Sequence, residues 1–388
     1  MERDIRAMAL GGHSGARLMY RRRGAVLITR AVGVQVGFSL IELLLALALG
    51  LVAVTGIVQL FVGNSRSYDV STGQARLQEN ARFALDFIAR AARSSGYLGC
   101  TREPDALVRG LLASWELLPE VDITRPVYGY PSTAVSAVLP RSSAGVDTNL
   151  FYRGAGIDTD AIAPNTDVLV FRALRSPGMQ LAEILQPNGT PLVRAPGGAV
   201  SVAVDDVIGI TNCEQGAVVR VTNVVPLGET ARLEIGPGPV IAAGAAPTAA
   251  RYRNAFTSLS AVSKAYGLDT VVAQVESVYF YVAPGLGRDS AGLAPLALWQ
   301  KVGFAEPVEL VQGIEHLQAR FGIDRVADGE AGAVRYVTTA ELGPEDVDRI
   351  VSVRITLTAN SVDSVDGGEP LRRAFTRTIQ VRNARHPS

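Results

Sequence analysis

An α+β fold, with a long N-terminal helix (transmembrane, then amphipathic) packed on a β-rich globular head, is predicted by three features of the 388-residue chain. A nearly uninterrupted apolar run extends from Phe38 to Val62, and a polar stretch with a helical stripe follows it. Beyond Cys100, short β-prone runs alternate with connectors rich in Gly and Pro. The length is enough for one large domain or two ordinary ones, and a hydrophobic content of 48% suits a folded chain rather than a disordered one.

Lys and Arg number 37 and Asp and Glu number 37, so the formal net charge is zero. The distribution is uneven. Residues 1–37 hold Arg3, Arg6, Arg17, Arg21, Arg22, Arg23 and Arg30 against Glu2 and Asp4, so seven cations less two anions leave the remainder five charges negative. Nothing in that balance recruits nucleic acid.

From Phe38 to Val62 the only polar side chains are Ser39, Glu42, Thr55 and Gln59. As a helix this run spans about 37 Å, enough to cross a bilayer. Arginines precede it, so the positive-inside rule places residues 1–37 in the cytoplasm and the bulk of the chain outside. No small-residue cleavage site of the ordinary secretory type closes the run, so the helix is expected to be retained.

Glu42 is the anomaly, because an acidic group near the bilayer core costs about 3 kcal/mol on insertion scales, less near an end. One reading has it snorkelling to the interface in the first helical turn, where the macrodipole favours a carboxylate. The other has cleavage after Gly37 creating an amine on Phe38, which pairs with Glu42 of the same or a neighbouring chain. The whole string, a basic leader, Gly37 and then "FSLIELLLALALG", resembles the class III signal of type IV pilins and pseudopilins. The resemblance implies that a prepilin peptidase cuts between Gly37 and Phe38, that Phe38 is N-methylated, and that Glu42 guides subunit docking. The leader is longer than is usual in that family, and Met19 opens a stretch closer to a normal leader, so the start at Met1 or Met19 stays open.

Residues 64–95 carry Leu77, Ala81, Ala84, Leu85, Ile88 and Ala92 on one helical face, which predicts core packing beneath a sheet. Arg90 and Arg93 suit a last turn and Gly96 a C′ position, while Gly73 is expected to soften the helix. "ARLQENARFALDFIARAARSSGYLGC", Ala75 to Cys100, is similar to the corresponding segment of the PilW family of type IV pilus minor pilins. So are "EPVELVQGIEHLQARFGID", "IVSVRITLTANS" and the terminal "FTRTIQVRNA", in that family's order, with Ala384 standing where the family usually has Arg. Weaker support comes from "VIGITNCEQGAVVRVTNV".

Cys100 and Cys213 both lie beyond the apolar run. An exported head favours a disulfide between them over two buried free thiols. Strands are predicted in "DVLVFRAL", "AVSVAVDDVIGI", "AVVRVTNVV", "TVVAQVESVYFYVA", "RIVSVRITLTA" and "FTRTIQVRN". No G-x-S-x-G, Walker A, H-E-x-x-H or paired C-x-x-C motif occurs, and His316 reads as a structural or surface residue, so the chain is not expected to be an enzyme. Asp324, Asp328 and Glu330 in "DRVADGE" are a weak Ca²⁺ candidate; the run misses the EF-hand pattern and reads better as a solvated turn. No cofactor is expected.

The expected organisation is a leader at 1–37, a transmembrane half-helix at 38–63, an amphipathic half at 64–95 and a head at 96–388. By resemblance the chain is a minor pilin that takes part in priming pilus assembly. It would sit in the inner membrane with its head in the periplasm, and then in the fibre or its tip. Its partners would be other minor pilins, the major pilin, prepilin peptidase, the inner-membrane assembly machinery and membrane lipid. Two alternatives stand beside this reading: a minor pseudopilin of a type II secretion system, and a membrane-tethered periplasmic enzyme or adhesin.

Overall fold

The computed structural model describes residues 37–100, 107–109, 125–133, 162–175, 178–186, 189–195, 200–204, 206–236, 265–303, 305–325, 335–365 and 368–383, with Ile123, Gly197 and Gly198. The chain divides into two compact units at Phe61/Val62. One helix, α1 (Leu40–Ser94), supplies the first unit and begins the second.

Sixteen strands follow among the described residues. They are β1 (Leu107–Arg109), β2 (Val127–Pro131), β3 (Asp167–Leu174), β4 (Met179–Leu181), β5 (Leu192–Arg194), β6 (Val207–Thr211), β7 (Gly216–Arg220) and β8 (Asn223–Leu227). Then come β9 (Thr230–Glu234), β10 (Val271–Pro284), β11 (Leu296–Val302), β12 (Val308–Gln312), β13 (Ile314–Ile323), β14 (Arg335–Thr338), β15 (Ile350–Asn360) and β16 (Arg372–Gln380). They form a 12-stranded sheet and a four-stranded antiparallel sheet of order β14-β13-β15-β16.

The long strand β10 joins the two parts of the larger sheet. Val271–Gln274 pair with β6, and Val271 and Val272 also with β4, whereas from Val275 onward the partners are β3 and then β11. The passage from the large sheet to the small one is made at Gly313, between β12 and β13. Its N–H donates to the Leu296 carbonyl and its own carbonyl accepts from the Asn360 N–H. It takes φ +76°, and a Cβ there would lie 2.7 Å from the Asn360 oxygen, so only glycine fits this crossing.

One buried cluster unites the helix with both sheets. Leu77, Ala81, Ala84, Leu85, Ile88, Ala89 and Ala92 of α1 meet Leu169, Phe171, Phe280 and Leu298 of the large sheet, and Leu317, Phe321, Val353, Ile355 and Leu357 of the small one. The alanines leave room for close approach, while burial of each Leu or Ile contributes about 1.5–3 kcal/mol. A second cluster, with Val193, Ile208, Ile210, Val219 and Leu233 at its centre, lies within the outer part of the large sheet.

Several expectations change. Within "AVSVAVDDVIGI", residues 200–204 and 206 are not strand: the Asp206 carboxylate accepts the Ala203 N–H at 2.7 Å and closes a turn, so local side-chain bonding overrides β propensity. "AVVRVTNVV" splits into β7 and β8 because Val221 donates to the Asp206 carbonyl while Thr222 donates to that of Glu234. Gly73 is buried, and a Cβ there would lie 3.2 Å from Val365 and 3.4 Å from Ser361. It marks a close approach rather than a soft point in the helix.

Candidate functional site: the apolar helix and its anchorage to the head

In the first unit, Gly37, Phe38 and Ser39 precede the helix and are exposed, Phe38 to 84%. Every residue from Leu40 to Phe61 is exposed except half-buried Gly56, so this apolar surface has no cover within the chain. Among the described residues α1 is the one helix long and apolar enough to cross a membrane. Its Thr55 hydroxyl donates to the Leu51 carbonyl at 2.7 Å, which satisfies one polar group on the exposed apolar surface. Glu42 lies in the first turn, where its N–H and that of Leu43 both donate to the Ser39 carbonyl, at 3.0 and 3.1 Å. The Glu42 carboxylate has no hydrogen-bond or ion-pair partner among the described residues.

The second unit holds the other end of α1 by several independent contacts. Gly96 takes φ +74° and its N–H donates to the Arg172 carbonyl at 2.8 Å. The Asn383 side chain donates to the Ser95 carbonyl at 3.0 Å, so the end of the described chain caps the end of the helix. This gives the terminal "VRN" a physical role. Leu98 is buried beside Leu174, Val207 and Val218. Gly99, at φ +80°, passes so close to Thr211 that any Cβ would collide with its hydroxyl. That approach delivers Cys100 to Cys213, and the two form a disulfide with Cα atoms 4.6 Å apart. Cys213 sits in the β6–β7 turn, where the Asn212 side chain accepts the N–H groups of Glu214 and Gln215 at 3.0 and 2.8 Å.

An ion pair overlooked by the sequence reading adds a lateral clamp. Arg377 of β16 donates to the Asp86 carboxylate at 2.5 Å, with Arg82 and Arg90 one turn away on either side. That hydrogen bond, ahead of the surrounding positive charge, holds the Asp86 carboxyl below the ordinary carboxylate range. No helical or strand period pairs residues 291 positions apart, so only the approach of β16 to α1 could disclose it.

Asp324 is buried at the end of β13, where its N–H donates to the Arg349 carbonyl at 2.9 Å, so it is not part of a solvated turn. Asp328 and Glu330 lie outside the described residues, as do residues 1–36 of the leader. Among the described residues no group of three or more His, Cys, Asp or Glu side chains could hold a metal ion. His316 is half-buried on β13. Its neighbour Glu315 accepts from Asn360 at 2.7 Å and from Arg372 at 2.8 Å, an arrangement that ties β13, β15 and β16 together.

A long helix, apolar in its N-terminal part and packed on antiparallel sheets in its C-terminal part, is a type IV pilin-like α+β fold. Residues 280–370, which run from the end of β10 into the β15–β16 connection, match the PilW family, described as Type IV Pilus-assembly protein W. The match supports the PilW resemblance read from both ends of the chain and points to a role in type IV pilus assembly as a membrane-anchored protein. No curated protein and no solved structure matches the chain.

Proposed function

We propose that the chain is a minor pilin that takes part in priming type IV pilus assembly and acts by docking rather than by catalysis. The observation that carries this reading is Glu42, an unpartnered carboxylate in the first turn of an otherwise exposed apolar helix. Prepilin peptidase cuts after Gly37, and the amine released on Phe38 becomes the counter-ion for a Glu42. The amine lies four residues before Glu42 in the sequence, and the pair forms with Glu42 of the same or of a neighbouring subunit. An unpaired buried charge costs several kcal/mol whereas a satisfied one roughly breaks even, so the pair sets register more than strength. The head lies in the periplasm and presents its surfaces to other minor pilins and to the major pilin.

The test is N-terminal mass spectrometry of the membrane-bound protein with and without prepilin peptidase. A mature start at Phe38, methylated and dependent on the peptidase, is expected; an intact leader in both strains would overturn the reading. Glu42→Ala is expected to be inserted and processed normally yet to fail in supporting pili. Wild-type piliation by that variant would reduce the helix to a simple anchor.

A further inference from the structure

The outward face of the four-stranded sheet carries a pair of charges that lies apart from the apolar helix and its anchorage. Arg320 of β13 stands directly opposite Arg354 of β15 in the ladder, and both are exposed. Like charges in facing positions weaken a sheet, so their presence calls for a compensating group. Arg354 is fixed from two sides: its guanidinium lies 4.0 Å from the centre of the Tyr336 ring, and its Nε donates to the Thr378 hydroxyl at 3.3 Å. The Arg320 guanidinium makes no hydrogen bond among the described residues.

One nearby carboxylate, Glu341, supplies part of that compensation, and a second, Asp167, lines the adjoining groove. Glu341 accepts both the N–H and the hydroxyl of Thr338, at 2.9 and 3.0 Å, and these bonds, more than the charges of Arg335 and Arg320, hold its carboxyl below the ordinary range. Asp167 accepts the Ala319 N–H at 2.8 Å and the Thr339 hydroxyl at 2.7 Å. Burial pushes its carboxyl up, against the pull of those two bonds.

Both arginines line an open groove of about 580 Å³. Its floor continues along the ladder through Gln318, Thr356 and Thr376, and the two threonine hydroxyls are 3.0 Å apart. One wall includes Asn165, held at φ +57°. The lining is thus a pair of forked cations and the one carboxylate of Asp167, set in a field of hydroxyl and amide groups. The ring of Tyr336, already stacked by Arg354, offers no free aromatic anchor. A docked protein segment usually seeks such an anchor. A nucleic acid seeks a longer basic stripe with bases stacked on open rings.

We propose that this groove binds a carboxylated oligosaccharide of the uronate type, its carboxylates paired with Arg320 and Arg354 and its ring hydroxyls bonded along the Gln318, Thr356 and Thr376 row. Planar guanidinium groups match carboxylates through two parallel hydrogen bonds, and the threonine row both donates and accepts, as sugar hydroxyls require.

The test is calorimetric titration of the full-length protein in nanodiscs of zwitterionic lipid with tetragalacturonate, maltotetraose and tetraglutamate. Tetragalacturonate is expected to bind, and neutral maltotetraose to bind far more weakly. Arg320→Gln combined with Arg354→Gln should weaken the acidic sugar by about tenfold or more. Thr356→Val combined with Thr376→Val, which keeps both charges, should weaken it several-fold, and this pair decides if the arginine variant proves unfolded by its melting curve. Absence of tetragalacturonate binding, or binding unchanged in the folded variants, would overturn the proposal. Tetraglutamate binding as tightly as the sugar would also overturn it, in favour of an acidic protein segment. The readout does not depend on whether the chain enters a fibre.

Discussion

Gly99 sits at φ +80° against the Thr211 hydroxyl, and the sequence shows only a glycine beside a cysteine. Gly99→Ala is expected to lower stability by about 1–3 kcal/mol and to leave a fraction of Cys100 and Cys213 as free thiols. Thiol titration of the unfolded protein measures the second effect. The Asp86–Arg377 pair makes a prediction about pH. Because the folded carboxyl is depressed, its contribution is present above the unfolded value near pH ~4 and is lost as pH falls through the lower folded value. Asp86→Asn should therefore be less stable than the parent at neutral pH and indistinguishable from it in acid, as followed by melting temperature; a gap that persists in acid would show that the pair is not the cause. Asp167 has the opposite sign. Burial raises its pKa, so its ionisation opposes folding at neutral pH, and that opposition is relieved as pH falls through the raised value.

At the scale of the element, the helical stripe was fully legible, since all six residues that spacing assigned to it are buried. Truncating the most enclosed of them, Leu77→Ala or Ile88→Ala, is expected to cost about 2–5 kcal/mol in urea unfolding of the detergent-solubilised chain. Phe83→Ala on the same helix, 44% exposed, should cost far less. Strands with long β-branched runs were equally plain: "TVVAQVESVYFYVA" differs from β10 by one residue at each end. What its composition could not convey is that it serves two parts of one sheet. That depends on which strands reach it, and they come from residues 167–174, 179–181, 207–211 and 296–302. Val200, Val202 and Val204 misled because valines have β propensity while Asp206 closes a turn through its side chain.

For the whole molecule, the disulfide ties the segment after α1 to a hairpin 113 residues further on. Replacing Cys100 and Cys213 together with Ser is predicted to lower the stability of the head by about 2–5 kcal/mol. Non-reducing peptide mapping of the parent should recover the two as one linked pair. Around that bond, the helix end is also held by Gly96 and Asn383, so loss of the disulfide should weaken the head without releasing α1. Asn383→Ala in the disulfide-free background should therefore add its own loss of about 1 kcal/mol.

The sequence by itself determined the features that depend on near neighbours: an apolar helix long enough for a bilayer, a carboxylate at its start, a stripe for packing, and most of the long strands. These are periodicities of two and 3.6 residues, which a chain displays whether folded or not. Tertiary structure alone decided the strand order, the crossing at Gly313, the Asp86–Arg377 clamp and the facing arginines at 320 and 354. Each of those joins residues whose separation in the chain has no relation to their separation in space, and they meet only through the pairing register of distant strands.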